Sequence, residues 1–221
     1  IMLYPTYVID NFFPNPDEVV KFSKSLDFKR DTNLGKWPGE RTRLMHEINP
    51  RFFQYTTKKI LSLIFSNNFP NVNWDAQQYF QKVPCDKDVK QGWVHNDSDY
   101  QLTAIVYLSK HKGCGTSIYQ KNDFFTTSKN YRIKEEYYSQ NKKFDKRYYQ
   151  ALEENNSCFT KTIEVESVYN RLVLFDGAQW HGVNGFYDKN ISEDRLTLIT
   201  FFHDISGYNL KFPVPELNRM L

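Results

Sequence analysis

Between residues 74 and 202 the hydrophobic residues fall in short runs with a period of two, and this most limits what the chain can fold into. The runs 74–83, 100–108, 116–119, 161–165, 171–175 and 195–202 are rich in β-branched and aromatic residues and are separated by Gly, Asn, Asp and Ser, the pattern of strands broken by turns. Ahead of them Tyr7-Val8-Ile9-Asp10 reads as a short first strand. Two helix starts follow. In Asn15-Pro16-Asp17-Glu18 the Asn caps and the Pro takes the first helical position, which predicts a helix over 16–25. Asn49-Pro50 precedes Phe53, Thr57, Ile60 and Ile64 at helical spacing, which predicts a longer helix ending by residue 66, before Phe69-Pro70. Two helices followed by six or more strands predict a mainly β, α+β fold: a double-stranded β-helix, or jelly roll, with helices packed outside.

The 221 residues suffice for one sizeable core, and we expect a single domain over 1–221. Its parts are an N-terminal strand and helices over 1–73, a jelly-roll core over 74–120 and 161–205, and an insertion over 121–160. The insertion contains no Gly or Pro and many good helix formers, so one or two helices are expected there, covering or bordering the barrel mouth. Aromatic residues make up 17% of the chain against 25% charged, so the core is built on large rings and disorder is excluded. Cys85, Cys114 and Cys158 are an odd number at irregular spacing, which excludes a CxxC zinc site and a disulfide framework and fits a reducing cytoplasm. No basic start followed by an apolar stretch and no long apolar run point to secretion or membrane spanning. Residues 121–161 carry nine Lys/Arg against six Asp/Glu, so this stretch accounts for the whole net charge of +3.

The chemistry is concentrated around Gly92-Trp93-Val94-His95-Asn96-Asp97. In an extended segment His95 and Asp97 point to the same side and can grip one metal ion together. His181, in Asp176-Gly177-Ala178-Gln179-Trp180-His181-Gly182, would complete two imidazoles and one carboxylate on one face of an octahedral ion, the donor set of a non-haem Fe(II) oxygenase. His46, His111 and His203 have no carboxylate at strand spacing and are not candidates. Period two in the last run places Arg195, Thr197 and Ile199 on one face and Leu196, Leu198 and Thr200 on the other. A guanidinium on an inward face is costly without a partner. A bound carboxylate held in bidentate fashion would satisfy it; pairing with Glu193 or Asp194, or a position in water at the strand mouth, are the alternatives.

Four segments give the chain a resemblance to the Fe(II)/2-oxoglutarate-dependent dioxygenases, and within them to the prolyl-hydroxylase-like branch. They are Trp74-Asp75-Ala76-Gln77-Gln78-Tyr79-Phe80; the Leu102 to Ser109 strand with Gly113-Cys114-Gly115-Thr116; Arg171 to Asp176 running on to His181; and the Arg195 to Phe202 strand. The resemblance covers about residues 74–119 and 161–203. It implies that His95, Asp97 and His181 ligate the iron, that Arg195 holds the far carboxylate of 2-oxoglutarate with help from Thr197, and that Tyr107 and Tyr79 make further cosubstrate contacts. It also implies consumption of O2, with hydroxylation favoured over halogenation because Asp97 fills the position a halide would need. Cys114 and Ser117 depart from the family pattern and put the pocket floor in doubt. The 86 residues between His95 and His181 exceed the usual spacing, which the insertion accounts for.

The substrate is less legible. The loop Trp37-Pro38-Gly39-Glu40-Arg41-Thr42-Arg43 and Trp93 either line a groove or are a solvated loop and a packed ring. Tyr131, Tyr137, Tyr138, Tyr148 and Tyr149 are interleaved with Lys and Arg, a mixture that binds single-stranded nucleic acid or simply turns its rings inward on an amphipathic helix. Three readings stay open: hydroxylation of a peptidyl proline, another side chain or a small molecule; oxidative demethylation of a nucleic acid; and a non-catalytic jelly roll that binds a metal or a carboxylate.

Overall fold

The computed structural model describes residues 4–32, 34, 36–66, 69–84, 91–122, 128–186 and 193–213. Cys85 and the first residues of the insertion after 122 lie outside them. The expected first strand is β1 (Tyr7–Ile9), and the first helix is α1 (Pro16–Lys24). Pro16 starts α1, with Asp17 and Glu18 in its first turn and Lys21 and Lys24 in its last, as the helix dipole favours. The expected cap is absent, since Asn15 makes no side-chain bond to the helix start. Asn49 does cap its helix: its Oδ1 accepts from Phe52 N at 3.1 Å at the start of α3 (Pro50–Ile64).

Between α1 and α3 lie three short elements with no counterpart in the sequence reading: β2 (Lys29–Arg30), β3 (Glu40–Arg41) and α2 (Met45–Ile48). Residues 37–43 are thus not all loop. Glu40 and Arg41 pair with Lys82 and Gln81 of β4 (Val72–Val83). Gly39, at φ +75°, brings the chain onto that edge where a Cβ would lie 2.2 Å from the Lys82 carbonyl oxygen.

The rest of the β region comprises β5 (Leu102–Tyr107), β6 (Thr116–Lys121), β7 (Phe159–Val165), β8 (Leu172–Asp176), β9 (Trp180–Val183) and β10 (Arg195–Gly207). The insertion between β6 and β7 holds α4 (Ser128–Ser139) and α5 (Lys146–Asn156). Among the described residues the strands form two sheets, ordered β1-β8-β5-β10-β4-β3-β2 and β7-β6-β9, which is a jelly roll. β9 is the one core strand the sequence reading did not separate from the turn before it.

The alternation along the central strands sorts their residues to two sides. Leu102, Ala104 and Val106 of β5, and Leu196, Leu198 and Phe202 of β10, pack with Phe53, Ile60 and Leu61 of α3 in the main core. Within that core Gln78 bonds both Thr56 of α3 and Thr200 of β10, so the polar atoms are satisfied. A bulge between Phe202 and Asp204 lets Phe202 and Ile205, three residues apart, face the same core. On the opposite face Tyr107, Val173 and Phe175 meet Ile118 and Val165 of the smaller sheet, and the space between the sheets opens at one end into a cavity. Among the described residues no helix is long and apolar enough to cross a membrane.

Candidate active site

His95 lies between β4 and β5 and is joined to His181 of β9 by a reciprocal backbone pair. His95 N donates to His181 O at 2.9 Å and His181 N to His95 O at 2.7 Å. The two rings therefore sit side by side across the bridge, tilted by 52° with centroids 4.4 Å apart. Asp97 is set two residues on, its N–H donating to Gly177 O at 2.8 Å. Gly177 has to be glycine here, because a Cβ would lie 2.0 Å from Tyr100 O and 2.7 Å from Asp97 O. Ligand atoms of His95, Asp97 and His181 fall within 4.8 Å of one another, a group that can hold a metal ion. His46, His111 and His203 are not part of it.

Each histidine is oriented from behind. His95 Nδ1 lies 2.9 Å from Trp93 O and His181 Nδ1 3.0 Å from Gln179 O. A carbonyl only accepts, so each Nδ1 carries a proton and each Nε2 is the ring nitrogen left to face a metal. Those Nε2 atoms lie 3.8 and 3.4 Å from the two oxygens of Asp97. Thr103 Oγ1 donates to Asp97 Oδ2 at 2.9 Å, a support that the sequence pattern did not single out. Such outer contacts fix ligand orientation in metal sites. Burial, with His181 and Lys134 nearby, pushes His95 down to about 3, so the imidazole is neutral at pH 7. Burial alone would raise the Asp97 carboxyl, but His181, His95 and the Thr103 hydroxyl hold it below its usual value.

The triad lines a cavity of about 560 Å³, within the range of roughly 300–1,000 Å³ typical of small-molecule sites. Arg195 reaches the same cavity from the start of β10 and is 5% exposed. Its Nε donates to Cys114 O at 2.9 Å and its guanidinium lies 5.6 Å from the Tyr107 ring centre. Neither Glu193 nor Asp194 pairs with it, and among the described residues no carboxylate does. Thr197, on the same face, is fully buried, and its Oγ1 has no hydrogen-bond partner among the described residues.

The two tyrosines stand further off. Tyr107 is buried beneath Arg195 with its hydroxyl donating to Thr116 Oγ1 at 2.8 Å. Tyr79 faces Ile199 across the β4–β10 pair, and its hydroxyl donates to Gln77 Oε1 at 3.0 Å. Neither is on the cavity wall.

The insertion closes one side of the cavity and also braces the metal group. Asn156 accepts from Val94 N at 3.0 Å and donates to Gly92 O at 2.9 Å, while Asn155 donates to Val94 O at 3.1 Å. These side chains bond the segment leading to His95 as a neighbouring strand would. Of the five insertion tyrosines Tyr137, Tyr138 and Tyr148 are buried. They pack with Trp93, whose Nε1 donates to Tyr148 Oη at 3.0 Å. Trp93 is thus a packed ring that joins insertion and ligand segment. The inward face of α4 also brings Tyr131 and Lys134 to the cavity, and β3 brings Arg41. Lys134 could have been found from sequence, since it lies on the helix stripe that carries Tyr131 and Tyr138.

Comparison with known proteins agrees with this geometry. The model of the family described as "Family of unknown function (DUF6445)" matches residues 3–202. No curated protein matches the chain. Among solved structures, HygX from Streptomyces hygroscopicus, with nickel and 2-oxoglutarate bound, is 12% identical with a TM-score of 0.58, covering 96% of this chain and 86% of its own. SnoN, a non-haem α-ketoglutarate-dependent epimerase from nogalamycin biosynthesis, is 10% identical with a TM-score of 0.52, covering 90% and 77%. A prolyl hydroxylase from Trichoplax adhaerens, in complex with a hypoxia inducible factor peptide fragment, is 13% identical with a TM-score of 0.51, covering 89% and 82%. The chain therefore belongs to the DUF6445 family, and its fold is that of the Fe(II)/2-oxoglutarate oxygenases, prolyl hydroxylases among them.

Proposed function

We propose that the chain is an Fe(II)- and 2-oxoglutarate-dependent dioxygenase that hydroxylates a C–H bond of a small molecule or a side chain, with residues 1–221 acting as one oxygenase unit. The observation that carries this reading is the convergence of two Nε2 atoms and one carboxylate, each oriented by a contact from behind, on the cavity that Arg195 enters. Two imidazoles and a carboxylate suit Fe(II) and leave positions open. The groups around Arg195 suit the cosubstrate: a buried guanidinium without a carboxylate partner and the orphaned Thr197 hydroxyl are complementary to the far end of a dicarboxylate.

When bound, Fe(II) and 2-oxoglutarate supply the oxidation, in which O2 converts 2-oxoglutarate to succinate and CO2 and delivers one oxygen atom to the substrate. The chain's own part is to position and to exclude. His95 presents a neutral imidazole, so no proton has to leave before it ligates, and His181 is held with its Nδ1 turned to the Gln179 carbonyl. Thr103 holds Asp97 against rotation. Arg195, fixed through its Nε by Cys114 O, turns its remaining donors to the cavity and sets where the cosubstrate's distal carboxylate lies. Tyr107 supports that guanidinium from below. The aromatic wall of the insertion keeps water from the reacting face. A reducing cytoplasm suits the thiols of Cys114 and Cys158 and a ferrous ion.

Anaerobic titration of the Fe(II)-loaded protein with 2-oxoglutarate tests this. Saturable binding that His95→Ala abolishes is expected, with succinate formed in air above a metal-free control. Absence of binding, or binding that His95→Ala leaves unchanged, would overturn the assignment.

A further inference from the structure

Besides the exposed Lys36, two cations in the cavity have no role in the chemistry described so far. Lys134 of α4 is 8% exposed, and Arg41 of β3 is partly buried; both line the cavity with His95 and Asp97. No ion pair among the described residues includes either of them. Lys134 touches only rings, with its Nζ 5.4 and 6.0 Å from the centres of Tyr131 and Tyr138. Arg41 donates from Nε to Gln81 Oε1 at 3.0 Å, and its guanidinium lies 4.0 Å from the Trp37 ring centre and 5.5 Å from that of Phe201. Burial pushes Lys134 down to about 8 and Arg41 to about 10, and the Arg41 charge pushes Lys134 further in the same direction. A lysine this buried is ordinarily paired.

The acids nearby do not supply the partner. Asp97 attracts both cations but is committed to the triad and to Thr103, and Asp31 attracts Arg41 without forming an ion pair with it. Asp99 and Glu135 line the rim and are exposed to solvent. With the oxygenase reading in place, the two charges of Fe(II) and that of Arg195 are balanced by Asp97 and the two carboxylates of 2-oxoglutarate. Arg41 and Lys134 remain uncompensated. The Arg41 guanidinium is also turned away from the cosubstrate anchor: Phe201, near which it lies, is six residues along β10 from Arg195, roughly 20 Å at strand rise.

We infer that the substrate is a small anionic molecule whose phosphate or carboxylate docks at Lys134 and Arg41, with its body against the rings that surround them. The inference rests on the oxygenase reading for the word substrate; the anion site itself rests on the two cations. Charge-assisted hydrogen bonds to both would satisfy them together, and the aromatic walls suit an apolar body.

The probes are phenyl phosphate and benzoate, with uncharged benzamide as control, titrated calorimetrically into the protein saturated with Mn(II) and 2-oxoglutarate. At least one anion is expected to bind ten-fold or more tighter than benzamide, and the tighter of the two names the charged group. Lys134→Met and Arg41→Gln should each weaken that anion ten-fold or more while leaving 2-oxoglutarate affinity within about two-fold. Lys134→Met preserves the side chain's shape, so a melting temperature at or above that of the parent confirms that it is folded. Anions that bind no better than benzamide, or affinity retained in both folded variants, would overturn the inference. If 2-oxoglutarate itself fails to bind, the oxygenase reading falls separately. The same titration on metal-free Arg195→Gln, where the cosubstrate anchor is gone, then still decides the anion site.

Discussion

A lysine ammonium held among rings lowers the stability of the fold that contains it. Replacing Lys134 by Met removes that cost and should raise stability by about 1–3 kcal/mol, which for a chain of this size is a rise of roughly 2–12 °C in melting temperature. The pH dependence has a definite sign. Lys134 is pushed down to about 8 from 10.5 in the native protein, so between those values the native state has released a proton that the unfolded chain still holds. Stability contributed by this group therefore rises with pH across that window. The limb should be absent in Lys134→Met, as urea melts at pH 7 to 10 would show. Asp97, Glu135, Arg41 and Lys36 all act on this ammonium, so the limb should start at higher pH and be smaller in Arg41→Gln, where one repelling charge is gone and the native value moves toward that of the unfolded chain. Arg195 is the complementary case, a buried cation for which the proposed function supplies the cosubstrate as partner. Arg195→Gln should weaken 2-oxoglutarate by roughly 1.5–3 kcal/mol, about 10- to 150-fold in Kd, with metal affinity unchanged by equilibrium dialysis.

At the scale of elements, α5 is fastened to the segment that carries His95. Asn156 makes two hydrogen bonds to it and Asn155 a third, so Asn156→Ala leaves a backbone N–H and a carbonyl without partners. A loss of roughly 10- to 100-fold in metal affinity is expected, the range for contacts that orient ligands from outside, while the far-UV spectrum stays that of the parent. Why this brace escaped the sequence reading is instructive. Period two along 195–202 places Arg195, Thr197 and Ile199 on one side, and the structure agrees, because alternation is a local property of an extended chain. The helical insertion was legible for the same reason. Asn156 sits at the end of α5, where an asparagine reads as a helix terminator, and its partners lie more than sixty positions away. β2 and β3 have two residues each, too few for any period, and they form only because β4 offers an edge. Trp180-His181-Gly182-Val183 alternates too weakly to separate β9 from its turn, although His181 itself was visible through its Gly-flanked context.

Taken whole, the molecule has two bodies of packing with different consequences when disturbed. Phe80, fully buried in β4, lies between Phe22 of α1 and Phe52 of α3, with ring centres 6.0 and 5.9 Å away. Phe80→Ala should cost about 3–5 kcal/mol and lower the whole denaturation curve. Tyr148 is as deeply buried but belongs to the insertion, stacked on Phe144 at 4.0 Å. Tyr148→Ala should instead loosen α4 and α5 and speed proteolysis there, leaving the main transition within about 1 kcal/mol. Between these bodies lies the reciprocal backbone pair of His95 and His181. Because main-chain hydrogen bonds set the separation of these two donors, the site is assembled before any ion arrives and cannot widen or narrow to suit one. Ions of similar radius then compete by intrinsic affinity, an order in which copper and nickel surpass ferrous iron. Which ion occupies the site is then decided by what the surroundings supply as much as by the sequence.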